Sequence, residues 1–462
     1  MIAPRLEIDL DFIGHNARAL VQKLSPLGIA ICGVTKATMG SSEVAIELLA
    51  AGVTSLGESR IDNVESLRRA GITAPIMLLR SPMISQADRV VAGADVSLNS
   101  EIDVIDRLSD SARRQRKSHG IVLMVELGDL REGIMPVDLV DTVRTVLGFP
   151  GIELRGIGTN LACQNGVIPD NSNMAELSAL ATSIEELFGL HLDIVSGGNS
   201  ANLPWALGPR ADIGGVNHLR LGESILLGRE PIERSVLDGL HADAFSMVGE
   251  VIESKAKPCQ PRGTRGQTAF GIPDDPHPAR RQGQRVIVAL GRQDLDTDGL
   301  TAPADFELVG ASSDHLVLDS GTTVPEVGSE IHFEVNYSAL MSSMVSPFVT
   351  RQFLRNGNAG SASRPVYSPA WPAGGPTWRP RSGSKAAEER SNRCCERSGA
   401  GVIPARRSRQ MSHPAALRAA VDGGSSSNIT RRVPPSVPVS SKRRISSPQL
   451  NDSALGSSAT RT

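Results

Sequence analysis

The chain has 462 residues, 40% of them hydrophobic and 3% aromatic, with 48 basic and 50 acidic side chains. That length suits roughly two to four domains, fewer where one is a barrel. No apolar run reaches the roughly 20 residues of a membrane span, and the five cysteines (Cys32, Cys163, Cys259, Cys394, Cys395) show no metal-binding spacing. Composition therefore argues against a membrane protein and a disulfide scaffold, and a reduced, cytoplasmic setting is expected.

The near-zero net charge hides an asymmetry. From residue 357 onward, 17 Lys and Arg stand against 5 Asp and Glu, which leaves 31 against 45 upstream. An acidic body thus carries a basic tail.

In chain order, the first ten residues read as a strand with no leader-like apolar stretch, so no secretory signal is expected. Residues 11–24 follow as an amphipathic helix with Phe12, Ala17, Leu20, Val21 and Leu24 on one face. A short apolar run, Ile29 to Val34, then stops at Thr35 and delivers Lys36, and an amphipathic run from Ser42 to Ala50 comes next. That is a buried strand, a loop residue and a helix. A lysine at such a strand tip is expected to be partly shielded from water, which lowers its pKa and lets it act as an amine nucleophile or base. Further short apolar runs at 54–57, 75–79, 94–98, 120–126, 153–158, 192–195 and 217–220 alternate with helical patterns. About eight such alternations predict an α/β fold of the (β/α)8, TIM-barrel type over residues 1–236, with the first strand free to pack elsewhere.

From about His241 the period changes. Runs at 244–252, 285–290, 305–310, 315–319 and 330–335 are strands separated by turn residues, so residues 237–355 are expected to form an all-β domain. The remaining stretch, 356–462, is rich in Ser, Pro, Gly and Arg and lacks periodic apolar residues; it is expected to stay disordered. Its basic clusters, such as Lys442-Arg-Arg444, are the sole basis for a nucleic-acid role, which ranks last.

In a parallel barrel the chemistry collects at the C-terminal tips of the strands. Those tips carry Lys36, Arg131, Asn160, the loop Ser196-Gly-Gly-Asn-Ser200, and Arg220 followed by Leu221-Gly222-Glu223. The glycine loop offers backbone N–H groups and hydroxyls suited to a phosphate.

These stretches resemble a known family. Val34-Thr-Lys-Ala37, Arg131 before Glu-Gly, Gly156-Ile-Gly-Thr-Asn160 and Leu219-Arg-Leu-Gly222 are similar to the alanine racemase family, the pyridoxal-phosphate enzymes of fold type III. Gly128-Asp-Leu-Arg-Glu-Gly133, Val195-Ser-Gly-Gly-Asn-Ser200, Arg220-Leu-Gly-Glu-Ser224 and Gly310-Ala-Ser-Ser-Asp-His315 resemble its ornithine racemase branch. The resemblance covers residues 4 to 353 and leaves the tail without a counterpart. It implies a homodimer with shared sites that exchanges the Cα proton of ornithine or a similar cationic amino acid. It implies that Lys36 would hold pyridoxal 5′-phosphate covalently and serve as one proton carrier, and that Arg131 would bond the phenolic oxygen. Ser200, the backbone near Gly222 and Glu223, and Tyr337 would hold the phosphate, and Arg220 would face the pyridine nitrogen. An arginine keeps its proton, so it leaves the ring a weak electron sink and suits racemisation.

Two departures accompany the resemblance. Asn160 stands where alanine racemases carry a ring-stacking histidine. Phe270, in Gly266-Gln-Thr-Ala-Phe-Gly271, stands where they carry the tyrosine that serves as second base, leaving Cys163, Asp294 and Asp314 as candidates for that role. Asp294 and Asp296 alternate with Leu295 and are expected to point the same way and favour a cationic side chain, with Ser313 and Asp314 as further substrate residues. The alternatives are a racemase of alanine or another neutral amino acid and a non-catalytic vitamin B6 carrier, which the extra β domain disfavours. A further alternative is a metal-assisted aldolase, for which the sequence offers no His/Cys/Asp cluster.

Overall fold

The structure is a computed structural model and describes residues 3–271 and 282–355. The tail expected to be disordered, 356–462, lies outside the described residues.

The chain opens with β1 (Arg5–Asp9) and α1 (Leu10–Leu24). Asp9 caps that helix, accepting from the Phe12 N–H at 3.0 Å, and the face buried is Leu10, Ile13, Ala17, Leu20 and Leu24. Phe12 and Val21, expected on the same face, are only partly buried at its flanks.

Eight parallel strands then close a barrel: β2 (Ala30–Val34), β3 (Ser55–Glu58), β4 (Ile76–Leu78), β5 (Val96–Asn99), β6 (His119–Met124), β7 (Ile152–Gly158), β8 (Ile194–Gly198) and β9 (His218–Leu221), with β9 pairing back to β2. Most of their residues are buried, because helices cover the outer face and side chains fill the lumen; β7 is the exception, with only Gly156–Gly158 buried. Between and after them run α2 (Ser42–Ala50), α3 (Ile61–Arg69), α4 (Ala87–Gly93), α5 (Ile102–Gln115), α6 (Leu139–Val146), α7 (Asn171–Phe188), α8 (Leu203–Ala206) and α9 (Glu223–Leu227). Cys32, Met77, Leu98, Val122 and Met124 form a separate small apolar cluster contributed by β2, β4, β5 and β6. Burial pushes the Cys32 thiol up to about 11, which makes it a core residue and not a reactive one.

The second sheet holds β10 (Phe245–Pro258), β11 (Gln282–Val288), β12 (Leu300–Thr301), β13 (Glu307–Ala311), β14 (Leu316–Asp319) and β15 (Glu330–Val335) in the order β12-β15-β10-β11-β14-β13. After β15 come α10 (Tyr337–Val345) and β16 (Thr350–Leu354). The first strand does not join the barrel. It lies between β10, antiparallel, and β16, parallel, with Arg5 opposite Thr350. Leu6 and Ile8 are fully buried there, and Arg5, 4% exposed, pairs with Glu330 and Glu7. Among the described residues no helix is long and apolar enough to cross a membrane.

Candidate active site

The barrel mouth is built tip by tip. At β2, Thr35 leads into a single 3-10 turn over Lys36–Thr38, and Met39 closes that turn at φ +53°. The Thr35 hydroxyl donates to Glu58 at the tip of β3 (3.2 Å). Glu58 is fully buried and also accepts from the Ser59 and Arg60 N–H groups and from Asn63 (2.9, 3.3 and 3.1 Å). Burial pushes its carboxyl up despite these donors. The junction ahead of Lys36 is therefore fixed, but Lys36 itself is exposed. The shielding expected at a strand tip is absent in a single subunit, because this turn lifts the lysine onto the rim.

Two loops are stapled together on the β6–β7 side. Glu126 accepts from the N–H groups of Gly128, Leu130 and Arg131 (2.6, 2.9 and 3.2 Å), which curls the loop so that Arg131 faces inward beside Glu132, its ion-pair partner. Asp129 is fully buried and accepts from the N–H groups of Cys163, Gln164 and Asn165 (3.2, 2.9 and 3.0 Å). Burial pushes that carboxyl up, but the backbone donors outweigh it and hold it below the usual range. At the β7 tip, the Asn160 oxygen accepts from Arg220 (3.2 Å) and Asn199 (3.3 Å), while its buried amide nitrogen has no partner.

The β8–β9 side is the most tightly knit. Gly198 adopts φ +144°, and a Cβ there would lie 2.2 Å from the Asn202 oxygen, so the loop needs a glycine. Asn199 accepts from the Ala201 N–H (2.8 Å), which sets Ser200 beneath the next strand's tip. The Ser200 hydroxyl accepts from the N–H groups of Gly222 (3.4 Å) and Ser224 (3.2 Å) and shares a hydrogen bond with the Ser224 hydroxyl (2.9 Å). A Cβ at Gly222 would lie 3.1 Å from that of Val34, so glycine lets this backbone approach β2. Arg220, 4% exposed, donates to the Ser196 hydroxyl, the Thr159 carbonyl (2.8 Å) and Asn160. Burial pulls its guanidinium down to about 10, which still leaves it charged at neutral pH. His218 shares Ser196 with it (2.9 Å); burial and the Arg220 charge hold that imidazole neutral, at about 3.

The second sheet closes the mouth through α10, which packs on the 36–38 turn. Asn336 caps that helix (Ala339 N–H, 2.9 Å), and its first residue, Tyr337, faces the barrel. Burial pushes the Tyr337 hydroxyl up, so it stays protonated and can donate.

These tips surround one cavity of about 690 Å³. Lys36, Arg131, Asn160 and Ser200 line it, as do Arg220, Gly222, Glu223 and Tyr337. Cys163 lines it too, and its sulfur accepts from Asn199 at 3.5 Å. Asp294, Asp296, Ser313 and Asp314 do not line it. The strand alternation expected for the first two does not persist. Residues 291–296 form a turn in which Asp294 folds back onto the Gly291 N–H (2.8 Å), while Asp296 caps the 297–299 turn and takes the Ser338 hydroxyl. Ser313 and Asp314 lie in the adjoining loop, whose Ser312 and Ser313 carbonyls accept from Arg292 and Gln293. Phe270 is exposed, with the Arg292 guanidinium 5.1 Å from its ring centre. Sequence reasoning did not single out Arg80 and Ser81, which line the cavity after β4; the strand-tip rule applied to the run 75–79 would have found them.

A family model described as alanine racemase, N-terminal domain, matches residues 8–230. The lysine racemase of Thermotoga maritima is 40% identical over 356 residues, 76% of this chain and 99% of that protein. The ornithine racemase of Acetoanaerobium sticklandii is 35% identical over the same shares. Among solved structures, an alanine racemase of Clostridium difficile 630 superposes with a TM-score of 0.63 at 20% identity, covering 77% of this chain and 97% of that one. A D-threonine aldolase from Filomicrobium marinum superposes at 0.59 and 15% identity over 77% and 92%. At such low identity these two superpositions speak to the fold. Among the described residues, no group of three His, Cys, Asp or Glu side chains could hold a metal.

Proposed function

The chain belongs to the alanine racemase family and is an amino-acid racemase dependent on pyridoxal 5′-phosphate, and on that premise we propose that it interconverts the enantiomers of a cationic amino acid, lysine or ornithine. The observation that carries the substrate class is the match, over 99% of their length, to a lysine racemase and an ornithine racemase.

The residues at the mouth fit the cofactor. The Ser200 hydroxyl, the Gly222 N–H and the protonated Tyr337 hydroxyl are the donors a phosphate needs. Arg220 is a buried cation with no carboxylate partner among its hydrogen bonds, and the Asn160 amide is a buried donor left empty. When bound, the cofactor supplies an electron sink that acidifies the substrate's Cα–H. Lys36 would hold the cofactor's aldehyde carbon in the resting enzyme and move the proton at Cα from the β2 side. Arg220 would face the ring nitrogen without giving up a proton, because its guanidinium stays charged at neutral pH. Arg131, fixed by Glu132, would donate to the phenolic oxygen. Inversion also needs a proton carrier on the other face of Cα. Of the three residues considered for it, Cys163 lines the cavity and Asp294 and Asp314 do not.

A homodimer is part of this reading. Lys36 is exposed, and Leu130, next to Arg131, and Met341, which lines the mouth on α10, are exposed apolar side chains that a second subunit would cover. Sedimentation at micromolar concentration should give twice the chain mass, and a fully active monomer would remove this element. A reduced, cytoplasmic setting suits the three described cysteines, all free.

The decisive test is α-deuterium exchange in D2O over the twenty amino acids plus ornithine, with chiral chromatography of the products. Lysine and ornithine should exchange and racemise fastest. Faster turnover of alanine than of either would overturn the substrate class.

A further inference from the structure

We propose that Glu132, in the loop after β6, receives the side-chain ammonium of the amino-acid substrate and so selects a cationic one; this rests on the racemase reading above. Among the described residues, Lys36 and four arginines line the cavity, against two carboxylates, Glu132 and Glu223. A surface with that balance repels a further ammonium, so a cationic side chain is held there only beside a carboxylate. Glu223 follows Gly222, whose N–H is one of the phosphate donors named above, and it pairs with Arg234. The cofactor's phosphate would fill that end. Asp294, Asp296 and Asp314 do not line the cavity. Glu132 stands three strands round the barrel from Glu223, and its charge acts on the buried Arg220 guanidinium, so it faces the same space.

The loop holds Glu132 in place at its base. Glu126 gathers the N–H groups of Gly128, Leu130 and Arg131 ahead of it, and its own N–H donates to the Ile134 carbonyl (2.9 Å) beyond it. The Ile134 N–H returns to the Met124 carbonyl (2.8 Å). A Cβ at Gly133 would lie 2.6 Å from the Glu126 nitrogen, so glycine lets the chain turn back this closely after Glu132. The Glu132 side chain is 27% exposed and meets Arg131 through the guanidinium Nε and Nη2. A carboxylate offers about four lone-pair sites. The guanidinium takes two, which leaves sites for a second cation. A compact ammonium on a flexible stem needs no planar fork, so it suits what remains.

The test uses the dimeric holoenzyme and equilibrium binding by calorimetry, so that it does not depend on turnover. L-lysine is compared with L-norleucine, which is lysine without its ε-amino group, in wild type, Glu132→Gln, Glu132→Asp and Glu223→Gln. The cofactor's visible absorbance reports that each variant is folded and loaded. The quantity read is the ratio of the two Kd values, which cancels any general loosening around Arg131 because both ligands share the same α-amino acid end. Wild type should favour lysine, and Glu132→Gln should shrink that preference about ten- to a hundredfold, the range for a lost charge-assisted hydrogen bond. Glu132→Asp should shrink it by less, and Glu223→Gln should leave it within about threefold. A ratio unmoved by Glu132→Gln, or moved more by Glu223→Gln, would overturn the proposal. A wild type that binds both ligands equally would remove the cationic substrate class and this proposal with it. A wild type that favours lysine but exchanges no Cα proton would instead count against the racemase reading while leaving the Glu132 comparison intact.

Discussion

The barrel mouth and the loops of the second sheet hold similar chemistry, charged side chains in glycine-containing turns, yet they differ in where that chemistry ends up. At the mouth, Lys36, Ser200, Arg220 and Gly222 come from the tips of three different strands and line one cavity. In the second sheet the carboxylates are used by their own chain. Asp294 takes the Gly291 N–H, Asp296 caps the next turn, and Asp319, 7% exposed, pairs with Arg285. Parallel strands all end on one face, so their tips converge without further design. Antiparallel strands end alternately at opposite edges, and their loops scatter.

The largest test of that contrast is at Lys36. Lys36→Ala should lower Cα proton exchange by at least about a hundredfold, the lower range for a lost proton carrier, and should abolish covalent fixation of the cofactor by borohydride. An adduct that persists on another lysine would break the assignment of the mouth.

A second test separates the regions by pH. His119 and His218 lie inside the barrel wall, and burial holds them neutral, at about 4 and about 3. An unfolded chain binds a proton on each below about 6.5. Between that pH and about 4 the unfolded state therefore holds more protons than the folded one, so stability falls as pH falls. The melting temperature should drop steadily across this window, and His218→Asn should flatten the drop. A barrel that melts at the same temperature at pH 7 and pH 5 would contradict the burial of these rings.

The smallest effect is expected from the second sheet. Asp294→Asn and Asp296→Asn should narrow the preference for lysine over alanine by about tenfold or less, read as the ratio of kcat/KM values. That change depends on the loop reaching a partner subunit's mouth, because it does not line the cavity of its own. No change in the ratio would remove these residues from substrate recognition and sharpen the contrast further.

The sequence was legible where burial imposes a simple pattern. The barrel strands read as unbroken apolar runs because both their faces are covered, and their tips could be named from the ends of those runs. The helix α10 escaped notice: Tyr337-Ser-Ala-Leu-Met-Ser-Ser-Met-Val345 carries no charged face, and Asn336 was its one local signal. The orientation of Asp294 and Asp296 was beyond reach, because a turn at 291–296 replaces the strand on which the alternation depended. Lys36 was placed correctly at a tip, yet its exposure depends on a 3-10 turn and on what covers it, and neither is encoded in the strand. Asp129 and Glu58, which staple the mouth, are single acidic residues whose partners are mostly backbone N–H groups, and such partners leave no pattern in composition.

The placement of β1 has a consequence for biogenesis. Its ladder to β16 joins Arg5 to Thr350, so the sheet cannot be completed until nearly all of the described chain has been synthesised. The entropy of closing so long a loop grows only by about 0.6 kcal/mol per doubling of length, so the cost is one of time more than of equilibrium. Until β10 has been synthesised, Leu6 and Ile8, which end up fully buried, have no strand to pair with, and until β16 arrives their other edge stays open. A nascent barrel would therefore carry a bare, sticky strand on a ribosome-tethered intermediate, a ready target for a chaperone. The same strand would spoil any attempt to express residues 1–230 as a self-contained catalytic unit.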